Sequence, residues 1–347
     1  MLDSSRHRTA VAAAIVRAPR AHSRAWCTGM CLFALASATS AWAQPLASWN
    51  DTAPRKAILK FVTDVTTPGA PTFVPADERI AVFDNDGTLW AEQPIYFQAA
   101  FLIDQVHAAA PKHPEWKKDP AFKALMARDT AALAAMGPRP VMRILAQANT
   151  GMSTTAYEAS LRDWFARAKH PKTGRPYTEM VYVPMLELLQ YLRGSGFKTF
   201  IVSGGGIEFM RVFAQQVYGI PPEQVIGTIV DVSWKVVDGN PALIRRPKVD
   251  FVDDGPGKPV GIYRAIGRPP IFAFGNSDGD WQMLQWTAAS ARPHLMGLVH
   301  HTDAAREWAY DRDSKIGKLD KALDDANVKG WTVVDMKQDW NKVFAFQ

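Results

Sequence analysis

Ile80-Ala81-Val82-Phe83-Asp84-Asn85-Asp86-Gly87-Thr88-Leu89 is the stretch whose reading decides the fold. Four consecutive apolar residues predict a short strand buried on both faces, and two carboxylates, a glycine and a threonine follow at once. Asp84 and Asp86 then stand at the carboxyl end of a central strand, the edge of an open α/β sheet where ligands bind. Asp-Asn-Asp-Gly is also ordinary turn chemistry, so this run alone leaves two readings open. Two acids one residue apart in a tight loop can face a common point, and like charges that close resist joint ionisation without a cation between them. Mg2+ suits such a place, because it is hard, prefers oxygen and accepts few protein ligands.

Upstream, Arg55–Val65 has helical spacing of Ile58, Leu59, Phe61 and Val62, and Pro68, Pro71 and Pro75 break it before the strand. Further upstream, Arg6, Arg8, Arg17, Arg20 and Arg24 stand against Asp3, and the mostly apolar Trp26–Ala38 follows. Ala41-Trp42-Ala43 has the small-x-small pattern of a cleavage site, so residues 1–43 are expected to be an export signal cut before Gln44, with the periplasm as destination. The apolar run is too short for a membrane span. Trp26 and Met30 precede Cys27 and Cys31, where a lipidation site would want small residues.

Without residues 1–43, which carry five arginines and one aspartate, the net charge falls from +6 to about +2. No concentrated basic face remains to favour nucleic acid. Nor does any cysteine, so no disulfide is needed in an oxidising compartment. Oligomeric state is not written in the sequence.

Downstream of Thr88 the chain becomes helical: Ala99–Ala110, Pro120–Met136, Val141–Thr150 and Thr154–Lys169 carry amphipathic spacing, with turns at 111–114, 137–140 and Gly151. A helical tract between two parts of an α/β pattern predicts an inserted cap, a lid that excludes water and selects substrate. The α/β pattern resumes with a helix over Met185–Arg193 and a strand over Phe197–Val202. Ser203-Gly204-Gly205-Gly206 is expected as a loop before a helix over Ile207–Tyr218; its exposed N–H groups would suit a phosphate. Val225–Val252 reads as strands with Asp238-Gly239-Asn240 as the turn. Lys258 then precedes a helix over Val260–Ile266; a lysine there can hold a phosphate as a point charge, although most lysines are solvated. Pro270–Phe274 is another buried strand, ending in Gly275-Asn276-Ser277-Asp278-Gly279-Asp280 ahead of a helix over Trp281–Thr287. Three strands thus end in acid, hydroxyl or glycine segments, with a lysine ahead of the last.

In that order and spacing, these four elements resemble the haloacid dehalogenase superfamily on its phosphatase side. Asp84-Asn85-Asp86-Gly87-Thr88 is similar to the first motif, Ser203 to the second, Lys258 to the third and Gly275–Asp280 to the fourth, a match spanning residues 80–290. The hairpin region between Ser203 and Lys258 is similar to phosphoserine-phosphatase-like members, and the insertion to a C1-type helical cap. The resemblance implies a Rossmann-like α/β core over 44–88 and 183–347, with the cap over 89–182. It also implies that Asp84 is the nucleophile, that Asp86 is the general acid and base, and that Ser203, the Asn85 and Gly204 amides and Lys258 hold the phosphoryl group. Dehalogenases lack an aspartate two residues after the nucleophile, so Asp86 points to phosphomonoester hydrolysis. Mg2+ would be held by the Asp84 carboxylate, the Asp86 backbone carbonyl and the fourth motif.

That last motif departs from the superfamily pattern, because its usual first acid is Asn276 here. An amide oxygen still ligates Mg2+ but brings one less negative charge. Asn276 is expected as the ligand with Asp280 as an anchor or ligand behind it, and Asp278 as an alternative. Glu92, with Trp90, Tyr96 and Phe97, offers a pocket for a cationic headgroup where cap joins core; the same residues equally suit packing. His300-His301 could offer a zinc pair, but neighbours on a strand point to opposite faces, so a plain strand end is the better reading. Thr302 or Asp303 is expected to cap a following helix, and Trp331–Met336 to form an edge strand. The expected function is an exported, Mg2+-dependent hydrolase of small soluble phosphomonoesters. Its rivals are a phosphotransferase of the same fold and a catalytically weakened phosphate-binding protein. A P-loop is excluded, because no Gly-x4-Gly-Lys-Ser/Thr run follows any strand.

Overall fold

The computed structural model describes residues 45–347 apart from 113, 128, 137, 138 and 141–148. The expected export signal and its cleavage site lie outside the described residues, as does most of the expected helix Val141–Thr150. Among the described residues no helix is long and apolar enough to cross a membrane.

Strand β1 is Ile80–Phe83, buried at every position. It lies between β2 (Lys198–Gly206) and β5 (Phe272–Gly275), parallel to both, in a sheet completed by β3 (Val225–Val237), β4 (Asn240–Phe251), β6 (Leu295–Thr302), β7 (Ala309–Tyr310) and β8 (Thr332–Asp335). The order is β4-β3-β2-β1-β5-β6-β7, with β8 pairing parallel to β6. Strand alternation sends Ala81, Phe83, Phe272, Phe274 and Ile201 into one core layer under helices Ala53–Thr66 and Val183–Gly194. Ile80, Val82, Ala273 and Val202 enter the opposite layer, against helices Gly257–Ile266, Trp281–Ala288 and Lys321–Lys329. Coverage on both faces is what the unbroken apolar run of β1 requires. Because β1, β2 and β5 run parallel in register, Asp84, Ser203 and Asn276 emerge at one edge, and Asp84 N–H donates to Phe274 O at 2.9 Å.

The expected Asp238-Gly239 turn closes the β3–β4 hairpin with both residues at positive φ, 49° and 79°, as a two-residue loop of that twist demands. Other expectations are corrected. Ser203–Gly206 is not a loop but the end of β2, where pairing with β3 shifts register between Ser203 and Gly206. The helix expected over Ile207–Tyr218 is broken into Ile207–Arg211 and Ala214–Tyr218, and at the break Phe213 packs its ring on Trp90 at 4.4 Å. Pro120–Met136 is likewise two helices, Pro120–Met126 and Thr130–Met136. No helix follows Asp303; its carboxylate accepts from the Ala305 and Arg306 amides and ion-pairs with Arg306, closing a turn.

The helical tract between β1 and β2 packs in two ways. Leu102, Ile103, Val106, Phe122 and Leu125 form a small core of their own. Helix Thr154–Arg167, by contrast, sends Trp164 and Phe165 against Phe209, and Phe165 also meets Trp90 and Phe213 of the main core.

Candidate active site

Lys258 ties the strand ends together. It sits in the first turn of helix Gly257–Ile266, 2 % exposed, and its Nζ donates to Asp84 Oδ1 at 2.6 Å, Asp280 Oδ1 at 2.5 Å and Val202 O at 3.0 Å. An ammonium has three N–H donors, so all are engaged. Lys258 is therefore neither a solvated lysine nor one with a spare donor for a phosphate; it is a fixed positive charge beside the expected nucleophile. Burial alone would lower its pKa, but the carboxylates of Asp280, Asp84 and Asp254 outweigh that and hold it above the ordinary lysine value. Asp84 is raised by burial and by Asp280, while Lys258 pulls it down.

Asp280, fully buried, braces the fourth motif: its Oδ2 accepts from the Asn276 and Ser277 amides at 2.9 and 3.1 Å. Asp278 points elsewhere, its Oδ1 accepting from the Asp320 and Ala322 amides at 3.0 Å where helix Lys321–Lys329 begins. The two carboxylates stand only two positions apart, yet the turn between them sends them in different directions.

Asp86 is oriented by a residue expected to line a pocket. The Trp90 indole N–H donates to Asp86 Oδ1 at 2.8 Å, and the Trp90 ring is fully buried against Phe97 and Phe213. Burial raises Asp86 to about 6, with the Trp90 hydrogen bond opposing. A carboxyl near that value can both give and take a proton near neutral pH. Trp90 and Phe97 are thus packing residues, which leaves Glu92 and the half-exposed Tyr96 facing the cavity.

The cavity over this cluster measures about 160 Å3 and is lined by Asp84, Asp86, Glu92, Tyr96, Ser203, Gly204 and Lys258, with Gln98 and Leu102 contributed by the helical tract. Ser203 is buried, and its Oγ accepts from Gly205 N–H at 3.1 Å. The Asn85 side chain turns away into the core, accepting from Tyr218 OH at 3.0 Å, so only its backbone could serve a substrate. Gln98 Oε1 accepts from Gly206 N–H at 2.8 Å and links the tract to the end of β2.

Three residues unforeseen in the sequence support the loop from behind. His301 Nε2 lies 2.8 Å from Gly87 O, its Nδ1 lies 3.1 Å from Glu307 Oε2, and its ring stacks on Tyr310 at 4.4 Å. Tyr310 OH in turn donates to Glu92 Oε1 at 2.8 Å. The strand alternation that parts His300 from His301 was the only available signal, because the partners lie on separate segments.

Asp253 is fully buried beside this cluster with neither oxygen in a well-formed hydrogen bond. Burial lifts it from 3.8 to about 7, with Lys258 pulling down and Asp254 pushing up. The folded state then keeps a proton that the unfolded chain releases, so stability falls as pH rises between those two values. Asp253→Asn is expected to be more stable than the parent at about pH 8, by roughly 2–4 kcal/mol, and equal to it below about pH 4. Urea melts at the two pH values check this; equal stability at the higher pH would remove Asp253 as a titrating group.

The donor set fits a hard cation. Around Asp84 the cavity is lined by four acids, Asp84, Asp86, Glu92 and Asp254, against the single lysine Lys258, an oxygen-rich setting that suits a hard cation. Among the described residues no group of three or more His, Cys, Asp or Glu side chains is placed to hold a metal ion. A cation would therefore draw on mixed oxygens: the Asp84 carboxylate, the Asp86 carbonyl and the Asn276 amide.

Compared with known families, residues 81–285 match haloacid dehalogenase-like hydrolases. The chain belongs to that family. A conserved functionally unknown protein from Anaerococcus prevotii DSM 20548 is similar in structure, with TM-score 0.51 and 16 % identity, over 81 % of this chain and 91 % of that one. A protein of unknown function from Bordetella pertussis Tohama I has TM-score 0.47 and 13 % identity, over 75 % and 99 %. A phosphoserine phosphohydrolase-like protein from Francisella tularensis subsp. tularensis SCHU S4 has TM-score 0.37 and 18 % identity, over 64 % and 87 %. The first of these likenesses supports the fold and nothing finer. No curated protein matches the chain in sequence.

Proposed function

We propose that this hydrolase is an exported phosphomonoesterase that works through an aspartyl phosphate and uses Mg2+. The observation that carries the reading is the buried Asp84–Lys258–Asp280 cluster with Asp86, at about 6, on the same loop. The Asp84 carboxylate attacks phosphorus as the ester P–O bond breaks, and Asp86 delivers its proton to the leaving oxygen. Asp86, now ionised, takes a proton from water; the oxygen so activated attacks phosphorus, Asp84 is released and inorganic phosphate leaves. Ser203 and the Asn85 and Gly204 amides hold equatorial oxygens, and Lys258 keeps Asp84 oriented and offsets its charge. Bound Mg2+, held by Asp84, the Asp86 carbonyl and Asn276, would supply neutralisation of the charge gathered on the phosphoryl group.

The cavity's size favours small substrates. At about 160 Å3 it falls below the roughly 300–1,000 Å3 typical of pockets for drug-sized ligands. The helical tract contributes Gln98 and Leu102 to its wall, which supports reading that tract as a cap.

The test uses protein beginning at Gln44, assayed for phosphate release from p-nitrophenyl phosphate and a panel of small phosphomonoesters, with Mg2+ and with chelator. Metal-dependent turnover is expected. A well-folded protein that releases no phosphate from any of them, with any divalent metal, would sink the reading.

A further inference from the structure

Resting on the phosphatase reading, we propose that this hydrolase takes monoesters whose alcohol portion is compact, largely apolar and free of negative charge, so that the transferred phosphate is the substrate's only anionic group. The cavity is lined by two kinds of surface. Asp84, Ser203, Gly204 and Lys258 supply the polar one, where the phosphoryl group is seated on that reading. Tyr96, Ala99, Leu102 and Val252 supply the apolar one. Ala99 and Leu102 stand three residues apart on helix Phe97–Ala109 and so share a face. Leu102 is 1 % exposed and packs with Ile103, Val106, Phe122 and Leu125, a core that holds this wall from behind. Gln98, on the same helix, accepts from Gly206 N–H at 2.8 Å and fixes the start of that helix to the end of β2. An alcohol portion set against these residues removes apolar surface from water, whereas a charge set there would lose water and gain no partner.

A second anionic group on the substrate would need a cation to meet it. Among the described residues that line the cavity, Lys258 is the one cationic side chain, and its three N–H donors go to Asp84, Asp280 and Val202 O. The four acids of the lining present no positive charge whether ionised or protonated, and any that are ionised repel an anion. Asp254 is placed to matter most. A Cβ on Gly204 would lie 3.5 Å from its Oδ1, so this carboxyl flanks the amide expected to hold the phosphoryl group. The Mg2+ of the phosphatase reading would serve the phosphoryl oxygens themselves. A carboxylate or second phosphate on the alcohol portion therefore meets either apolar side chains or acids. Discrimination of this kind works by leaving the wrong substrate's charge unpaired, and it needs no dedicated contact to the right one.

The experiment compares kcat/KM for phenyl phosphate with 4-carboxyphenyl phosphate, a pair alike around the ester and different in charge. Glycerol 3-phosphate with 3-phosphoglycerate is a second such pair. The uncharged alcohol is expected to be preferred by about 10^2-fold or more in each. Val252, 40 % exposed at the apolar wall, can be replaced by a long cation. Val252→Arg, made together with Asp254→Asn so that the guanidinium has no neighbouring carboxylate to pair with, is expected to move both ratios toward the anionic ester by at least about tenfold. Ala99→Phe fills the wall and is expected to lower the ratio of phenyl to ethyl phosphate by at least about tenfold. A preference under about tenfold in the parent, or a ratio unmoved in either folded variant, would overturn the proposal and leave the phosphatase reading intact. Parent protein that releases no phosphate from any of these esters would remove that reading, and the proposal with it. Should the Val252 variant fail to fold, the parent's ratios and Ala99→Phe still decide.

Discussion

Replacing Asp84 with asparagine is expected to abolish phosphate release, by at least about 10^3-fold, the scale on which loss of a covalent nucleophile registers. The side chain keeps its shape but loses the charge that attacks. The fold is expected to survive, because Lys258 keeps its contacts to Asp280 Oδ1 and Val202 O, and a buried carboxylate raised by burial and by Asp280 is removed. Acid-quenched parent protein should carry one phosphoryl group by mass spectrometry during turnover, and the variant none. Turnover within tenfold of the parent would remove Asp84 as nucleophile.

Lys258→Met is expected to damage both stability and rate. The change leaves Asp84 and Asp280 facing one another without the cation between them, each at most 6 % exposed. Removing one partner from a buried ion cluster typically costs about 3–5 kcal/mol, because the remaining charge is neither hydrated nor paired. Part of that loss should return on acidification, when Asp84, raised by burial and by Asp280, takes up a proton. Lys258→Arg is not expected to rescue, since a planar guanidinium cannot reproduce three contacts to Asp84, Asp280 and Val202 O made from a single nitrogen. Urea denaturation with and without a second change, Asp280→Asn, measures the coupling. A loss under about 1 kcal/mol would show that the cluster does not depend on the lysine's charge.

Much of the architecture was legible because its causes are local. The run Ile80–Phe83 can be buried on both faces only in the middle of a covered parallel sheet, and Asp238-Gly239 can adopt the positive φ values that a two-residue hairpin needs. The four motifs announced which strand ends would carry chemistry, and β1, β2 and β5 do lie side by side with those ends together. The broken helix at Phe213 was not legible, since amphipathic spacing continues through it and the ring packed there, Trp90, lies far along the chain.

The roles of individual polar groups divide in the same way. Residue type and spacing determined that Asp84, Asp86, Ser203, Lys258 and the 275–280 segment would meet at one sheet edge. Only the tertiary structure decided that Asp278 caps a helix while Asp280 holds Lys258, that Trp90 serves Asp86 from within the core, and that Glu92 reaches Asn276 across 184 residues of chain. Hydrogen bonds are won within a few tenths of an ångström. Sequence spacing orders residues along the chain, but distances of that size between separate segments come from strand register and from the packing that surrounds it.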